Sequence, residues 1–190
     1  LNRLLKSLFT KAFCYSECFF YFYTMATHLK NLSDFSHLSI PSAAPYRFAI
    51  IVAQWNASIT GALLNGAYGS LIANDCPESN ITILEVPGTF ELSNAAAIAA
   101  ASKKYDAIIC LGCVIQGETR HFDFICQAVA NGITEVGVKT LIPAIFGVLT
   151  TENLQQATDR AGGKHGNKGE EAAITAIKMA ALASNFKNSN

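Results

Sequence analysis

Asp106-Ala-Ile-Ile-Cys-Leu111 runs into Gly112-Cys-Val-Ile-Gln-Gly-Glu-Thr-Arg-His121, and His121-Phe-Asp-Phe-Ile-Cys-Gln-Ala-Val-Ala130 follows without a break. The first run is apolar and β-branched, as a buried strand requires. The last repeats its apolar residues at helical spacing. A strand therefore empties through a Gly-bracketed loop, Gly112–His121, into a helix that begins at the hydroxyl residue Thr119. Such a junction directs free backbone N–H groups and the positive end of a helix dipole at one spot, a natural anion cradle. Gly112 and Gly117 are expected to let the backbone approach the ligand. His121 lies one short turn on, placed to move protons. The competing reading is an ordinary strand–helix turn carrying an exposed histidine.

Spacing from Gly112 to Thr119 approaches that of a nucleotide-binding P-loop, but Glu118 occupies the lysine position. Without that lysine the outer phosphates have no counter-charge, so the nucleotide-hydrolase reading fails.

Working outward, apolar strand-like runs alternate with helical patterns from Tyr46 on. Strands are expected at Arg47–Ala53, Asn80–Val86, Asp106–Leu111 and Ile142–Leu149. Crossover helices are expected at Ser58–Asn74, Thr89–Lys104 and Thr119–Val136, with further helices at Thr151–Ala161 and Asn167–Ala183. Near-continuous apolar strands joined by helices predict an α/β fold with a parallel sheet of four strands covered on both faces. Thr151, Glu152 and Asn153 supply capping chemistry for the fourth helix, and Gly162-Gly163 a stop. No linker or repeat divides residues 46–190, which read as one domain.

The chain has 190 residues, 51% of them apolar, and a formal net charge of zero. A neutral chain offers no basic face for nucleic acid. Six cysteines, at 14, 18, 76, 110, 113 and 126, lack the short, even spacing of a disulfide framework. Cys110-Leu-Gly-Cys113 matches C-x-x-C, but it falls inside a strand pattern and no second pair stands at zinc spacing. Reduced thiols in the cytoplasm and no metal site are expected.

Residues 1–24 differ from the rest: a basic amphipathic stretch precedes the aromatic cluster Phe19-Phe-Tyr-Phe-Tyr23. The apolar run is too short to span a bilayer, and Lys11 and Glu17 interrupt any signal-peptide core. Residues 1–24 are read as a non-native or disordered extension, with Met25 as the working start and residues 25–45 as a loose arm.

In an open parallel sheet, ligands sit beyond the carboxyl ends of the strands. Those ends carry Gln54-Trp55-Asn56, Pro87-Gly-Thr89-Phe90-Glu91, the Gly112–His121 loop and, for the fourth strand, Phe146-Gly147. Trp55, Phe90 and Phe146 are large faces suited to a flat heterocycle, although each alone also suits a core. Arg160-Ala-Gly-Gly-Lys-His-Gly-Asn-Lys-Gly169 supplies the missing cations. Arg160 could grip a phosphate with two parallel hydrogen bonds. Lys164 and Lys168 read equally well as charges decorating a helix C-terminus.

With these motifs in this order, the chain from about Tyr46 to Ala183 resembles the lumazine synthase family. The resemblance rests on Gln54-Trp-Asn56, Val86-Pro-Gly-Thr-Phe-Glu91, Gly112–His121, Phe146-Gly-Val-Leu-Thr-Thr-Glu-Asn153 and Arg160–Gly169. It implies a flavodoxin-like three-layer αβα sandwich. The implied reaction condenses 5-amino-6-(D-ribitylamino)uracil with 3,4-dihydroxy-2-butanone 4-phosphate in riboflavin biosynthesis, releasing phosphate and water, with no metal and no cofactor. Carried over by motif, Trp55 stacks on the pyrimidine. Thr89, Phe90, Glu91, Cys113, Val114 and Ile115 hold its ribityl chain and uracil edge. Glu118 and Thr119 offer N–H groups to the butanone phosphate, Arg160 clamps it, and His121 transfers protons. Phe146 closes the pocket of a neighbouring subunit, since the family's sites lie between subunits of a pentamer.

Trp55 stands where many members carry phenylalanine, and Gln116 where arginine is frequent. The short link Gly162–Gly169 resembles that of shell-forming members and implies a sixty-subunit shell, with riboflavin synthase as a further partner; Trp55, reminiscent of some decameric members, points the other way. Two rival readings remain: an α/β enzyme acting on other sugar phosphates or nucleotides, and a non-catalytic lumazine-binding or shell protein of the same fold.

Overall fold

The computed structural model describes residues 33–35 and 38–188. Residues 1–24 and the start of the arm, on which the reading of an N-terminal extension rests, lie outside the described residues. Four parallel strands make the central sheet: β1 (Phe48–Ala53), β2 (Ile81–Val86), β3 (Ala107–Ile115) and β4 (Ala144–Thr151), in the order β2-β1-β3-β4. Helices α1 (Ala57–Ala73), α2 (Leu92–Ala101), α3 (His121–Thr140), α4 (Leu154–Asp159) and α5 (Lys168–Asn188) connect and cover it. A short hairpin, β5 (Ala161–Gly163) and β6 (Gly166–Asn167), was not anticipated.

Alternation along β1 shows how the layers form. Phe48, Ile50 and Val52 enter one apolar cluster with Leu63, Leu71 and Ile177, whereas Ala49, Ile51 and Ala53 enter the other with Leu92, Val129 and Ile133. Successive strand residues point to opposite faces, so a strand apolar at every position must be covered twice. α1 and α5 pack together on one face, α2 and α3 on the other. This is the three-layer αβα, flavodoxin-like sandwich.

The same geometry decides the C-x-x-C pair. Cys110 packs into one cluster and Cys113 into the other, so the two thiols lie on opposite faces of the sheet. Burial pushes Cys110 up to about 12 and Cys113 up to about 11, leaving both as inert thiols.

Several boundaries differ from expectation. β3 runs on through Gly112-Cys-Val-Ile115, in register with Val148–Thr151, so only residues 116–120 form the loop. Gly112 therefore serves packing: a Cβ there would lie 2.8 Å from the Thr89 side chain and 2.9 Å from Leu92. α3 starts at His121 rather than Thr119, and the Thr119 hydroxyl accepts a long 3.4 Å bond from the His121 N–H. α4 starts after Asn153, whose side chain accepts from the Gln156 N–H at 2.9 Å, and it ends at Asp159 rather than at Ala161. Far from running loose, the described arm packs down: Phe35 and Ile40 contact the core, Ala43 is fully buried, and Ser33 bonds Asn167.

Candidate functional site

The first three strand ends are tied together at one atom. Asn56 follows β1 in the left-handed region, φ 60°, and its side-chain Nδ2 donates to the Cys113 carbonyl at 3.0 Å. Thr89, buried after β2, donates its hydroxyl to the same oxygen at 3.4 Å. Trp55 N–H donates to the Pro87 carbonyl at 3.2 Å, and Gln54 N–H to that of Val86 at 2.8 Å. A polar hub thus locks Gln54–Asn56, Pro87–Glu91 and Cys113–Ile115 side by side. Asn56 belongs to the motif but had no assigned role, because a bond to a residue 57 positions away leaves no local signal.

On this hub Trp55 remains 69% exposed and Phe90 54% exposed. Large aromatic faces left in water beside a satisfied polar floor are suited to stacking. Trp55 lies over Gly88: a Cβ at Gly88 would come within 2.8 Å of Trp55 Cε3 and 3.0 Å of the Glu91 carboxylate. Glu91 is half-buried in the same turn, and Val114 and Ile115 are half-buried at the end of β3.

Beyond Ile115, Gln116 N–H is bonded to the Thr151 carbonyl at 2.8 Å, and the chain then lifts into solvent. Glu118, Thr119 and His121 are exposed, and the Glu118 and Thr119 N–H groups make no hydrogen bond among the described residues. These amides sit just ahead of the N-terminus of α3, a 20-residue helix, where its dipole favours an anion. His121 is that helix's first residue.

Arg160 sits at the C-terminal end of α4 with its side chain 18% exposed. Its Nη1 donates to the His165 carbonyl at 2.7 Å and pairs with Glu171 Oε1 at 2.7 Å; Lys168 Nζ holds Glu171 Oε2 at 3.2 Å. Burial alone would raise the Glu171 carboxyl, but the Arg160 contact and the Lys168 charge hold it below the usual range. Glu171 escaped sequence reasoning because its partner lies across an unforeseen hairpin. Lys168 is also not at a helix C-terminus: it opens α5, with Glu170 and Glu171 in that first turn. Lys164 pairs with Asp159 at 3.0 Å, and that hydrogen bond, helped by Gln155, keeps the Asp159 carboxyl low.

Phe146 does not join the other aromatic faces. β4 begins at Ala144 and continues to Thr151, which places Phe146 level with Cys110, half-buried against α3-side core residues. Thr150 and Thr151, both β-branched, extend the ladder past Leu149, the expected end of the strand. Within one chain the exposed aromatic faces at the strand ends are therefore Trp55 and Phe90.

A doubly wound sheet with exposed aromatic faces, a carbonyl hub and unbonded amides at its carboxyl end has the architecture of an α/β enzyme whose site suits a flat ring and, beside it, an anion. A profile of 6,7-dimethyl-8-ribityllumazine synthase matches residues 45–184. Proteins of that name are similar along most of this chain. The one from Cytophaga hutchinsonii is 59% identical over 157 residues, 83% of this chain and 98% of that protein. That from Porphyromonas gingivalis is 52% identical over 158 residues, covering 83% and 98%, and that from Flavobacterium johnsoniae 53% over 156 residues, covering 82% of each. The chain belongs to the 6,7-dimethyl-8-ribityllumazine synthase family.

Proposed function

We propose that the chain condenses 5-amino-6-(D-ribitylamino)uracil with 3,4-dihydroxy-2-butanone 4-phosphate to give 6,7-dimethyl-8-ribityllumazine, with loss of phosphate and water. The observation that carries this reading, beside family membership, is the pairing of an exposed Trp55 seated on Gly88 with the unbonded Glu118 and Thr119 amides at the start of α3. Trp55 and Phe90 take the pyrimidine ring. Thr89, Glu91, Cys113, Val114 and Ile115 line its polar edge and ribityl chain, and Glu118, Thr119 and Arg160 take the phosphate. The pyrimidine 5-amine attacks the ketone and one water leaves as the imine forms. Phosphate is eliminated to leave an enol that tautomerises to a second carbonyl, and the ribityl-bearing amine adds to that carbonyl and closes the ring with loss of a second water. His121 moves the protons.

Holding two reactants in register contributes up to ~7–11 kcal/mol, against the typical ~10²–10⁴-fold of one acid–base group. A rigid hub with one histidine therefore has sufficient means for this chemistry. Mixing purified protein with both substrates should generate the fluorescent lumazine. Absence of product from correctly assembled protein would refute the assignment.

The working form is proposed to be a closed oligomer of pentamers, a sixty-subunit shell acting in the cytoplasm, with riboflavin synthase as the enzyme beside it. Phe146 stands apart from Trp55 in one chain and would complete a neighbour's pocket. Val138, Leu141 and Phe186, 70–80% exposed, line an apolar cleft of about 450 Å³ between α3 and α5 that a subunit contact would cover. Among the described residues no helix is long and apolar enough to cross a membrane. Native mass spectrometry tests the assembly, and a fully active monomer would defeat it.

A further inference from the structure

Asn167 closes the β5–β6 hairpin and caps α5, and it is 7% exposed. All of its polar atoms are used. Nδ2 donates to the Ala62 carbonyl in α1 at 3.0 Å, and Oδ1 accepts from the Gly169 N–H at 2.8 Å. Its backbone N–H donates to Ser33 Oγ at 2.7 Å, and the Ser33 hydroxyl donates to its carbonyl at 3.1 Å. Two glycines clear its place. A Cβ on Gly66 would lie 2.6 Å from the Asn167 amide, and one on Gly169 would overlap the Leu63 carbonyl. Neither glycine has a positive φ, so both are there for close approach rather than for a turn.

Arg160 is held from α4 through its own N–H to the Ala157 carbonyl, and from the other side by contacts that run through Asn167 and its neighbours. Asn167 pairs with Ala161, the neighbour of Arg160, and the next N–H, on Lys168, donates to the Arg160 carbonyl at 2.9 Å. One turn further along the helix that Asn167 caps stands Glu171, which holds the guanidinium. The hairpin backbone and the carboxylate thus share one anchor on α1. We propose that Asn167 is a positioning residue for the phosphate clamp: it sets where Arg160 points without touching substrate. This rests on the reading of Arg160 given under Proposed function. A merely structural asparagine would lower stability, or weaken both substrates together, and would leave no asymmetry between them.

The test measures KM for each substrate, with kcat, in Asn167→Ala, Asn167→Ser and Arg160→Ala. In Asn167→Ala the KM for the butanone phosphate should rise about threefold to tenfold, the loss carried by one ordinary hydrogen bond. The KM for the pyrimidine and kcat should stay within about twofold of the parent, inside that same scale. Asn167→Ser keeps a capping oxygen for Gly169 and should recover part of the loss. It also supplies a folded variant should alanine prove too destabilising. Equal rises for both substrates, or none, in a folded variant would overturn the proposal while a selective Arg160→Ala effect left the clamp standing. A non-selective Arg160→Ala would bring down both.

Discussion

Gly88→Ala separates the stacking surface from the fold. Gly88 has φ −141° and ψ 173°, extended backbone that alanine adopts freely, so the change adds no strain of its own. Its methyl would sit 2.8 Å from Trp55 Cε3 and 3.0 Å from Cζ3, closer than packed carbons tolerate. Trp55 is 69% exposed and can swing away into solvent, so the ring yields rather than the backbone. Removing a glycine also narrows the unfolded ensemble by about 0.4–1 kcal/mol, which keeps the melting temperature level or slightly higher. What is lost is the seat of the indole, worth about 0.5–1.5 kcal/mol of aromatic contact, or roughly twofold to thirteenfold in affinity. Trp55 is the only tryptophan in the chain, so its emission reports the ring directly. Titration with a lumazine analogue should show weaker quenching-derived affinity and a shifted free-state emission at unchanged stability. Parent-like emission and affinity would show that the indole does not rest on Gly88, and the stacking argument would lose its geometry.

His121→Ala should lower turnover roughly 10- to 1000-fold, most of it within the general acid–base span, with an unchanged melting curve because the side chain is exposed; a parent-like rate in assembled protein would give the proton to another group. Arg160→Ala should weaken the butanone phosphate far more than the pyrimidine, and Arg160→Lys should restore only part, since an ammonium cannot hold Glu171, the His165 carbonyl and a phosphate in one plane. Equal weakening of both substrates would count against a dedicated clamp. Glu171 has a depressed folded-state pKa, so its contribution to stability is present above the unfolded value near 4.5 and is lost as pH falls through the lower folded value. Acid should therefore lower the melting temperature more in the parent than in Glu171→Gln; parallel pH profiles would remove Glu171 from the stabilising network.

Much of the fold was legible because its signal is local. Three of the central strands are apolar runs read off the chain, whereas edge strand β2 also carries Thr82 and Glu85 and leaves Ile83, Leu84 and Glu85 exposed; every major helix carries helical spacing. What escaped depends on distant neighbours. Gly112 reads as a loop residue, yet its bare Cα admits Thr89 and Leu92. Gly147 likewise lies inside β4, where a Cβ would come within 2.6 Å of the Leu111 side chain. A glycine that ends a strand and one that makes room within it look alike in sequence. Arg160 was found as a cation but not as half of a pair. Gly162 and Gly166, at φ 107° and 82°, fold the hairpin that carries Lys168 and Glu171 back to it. Glycines there announce a turn without saying what the turn delivers.

The division of labour within the site follows from which parts are bonded and which are free. The Cys113 carbonyl, held by Asn56 and Thr89, ties the floor to β3, and β3 is paired along its length. That floor can lose little entropy on binding because it has little left to lose. The Glu118 and Thr119 amides, by contrast, make no hydrogen bond among the described residues, which leaves them open to the proposed phosphate. A condensation accelerated chiefly by orientation requires this arrangement: a frozen surface that fixes the ring, and an unspent donor set that draws the second reactant to it. Perturbing the frozen part should therefore act through the geometry of both reactants, whereas perturbing the donors or their cations should act on the phosphate alone.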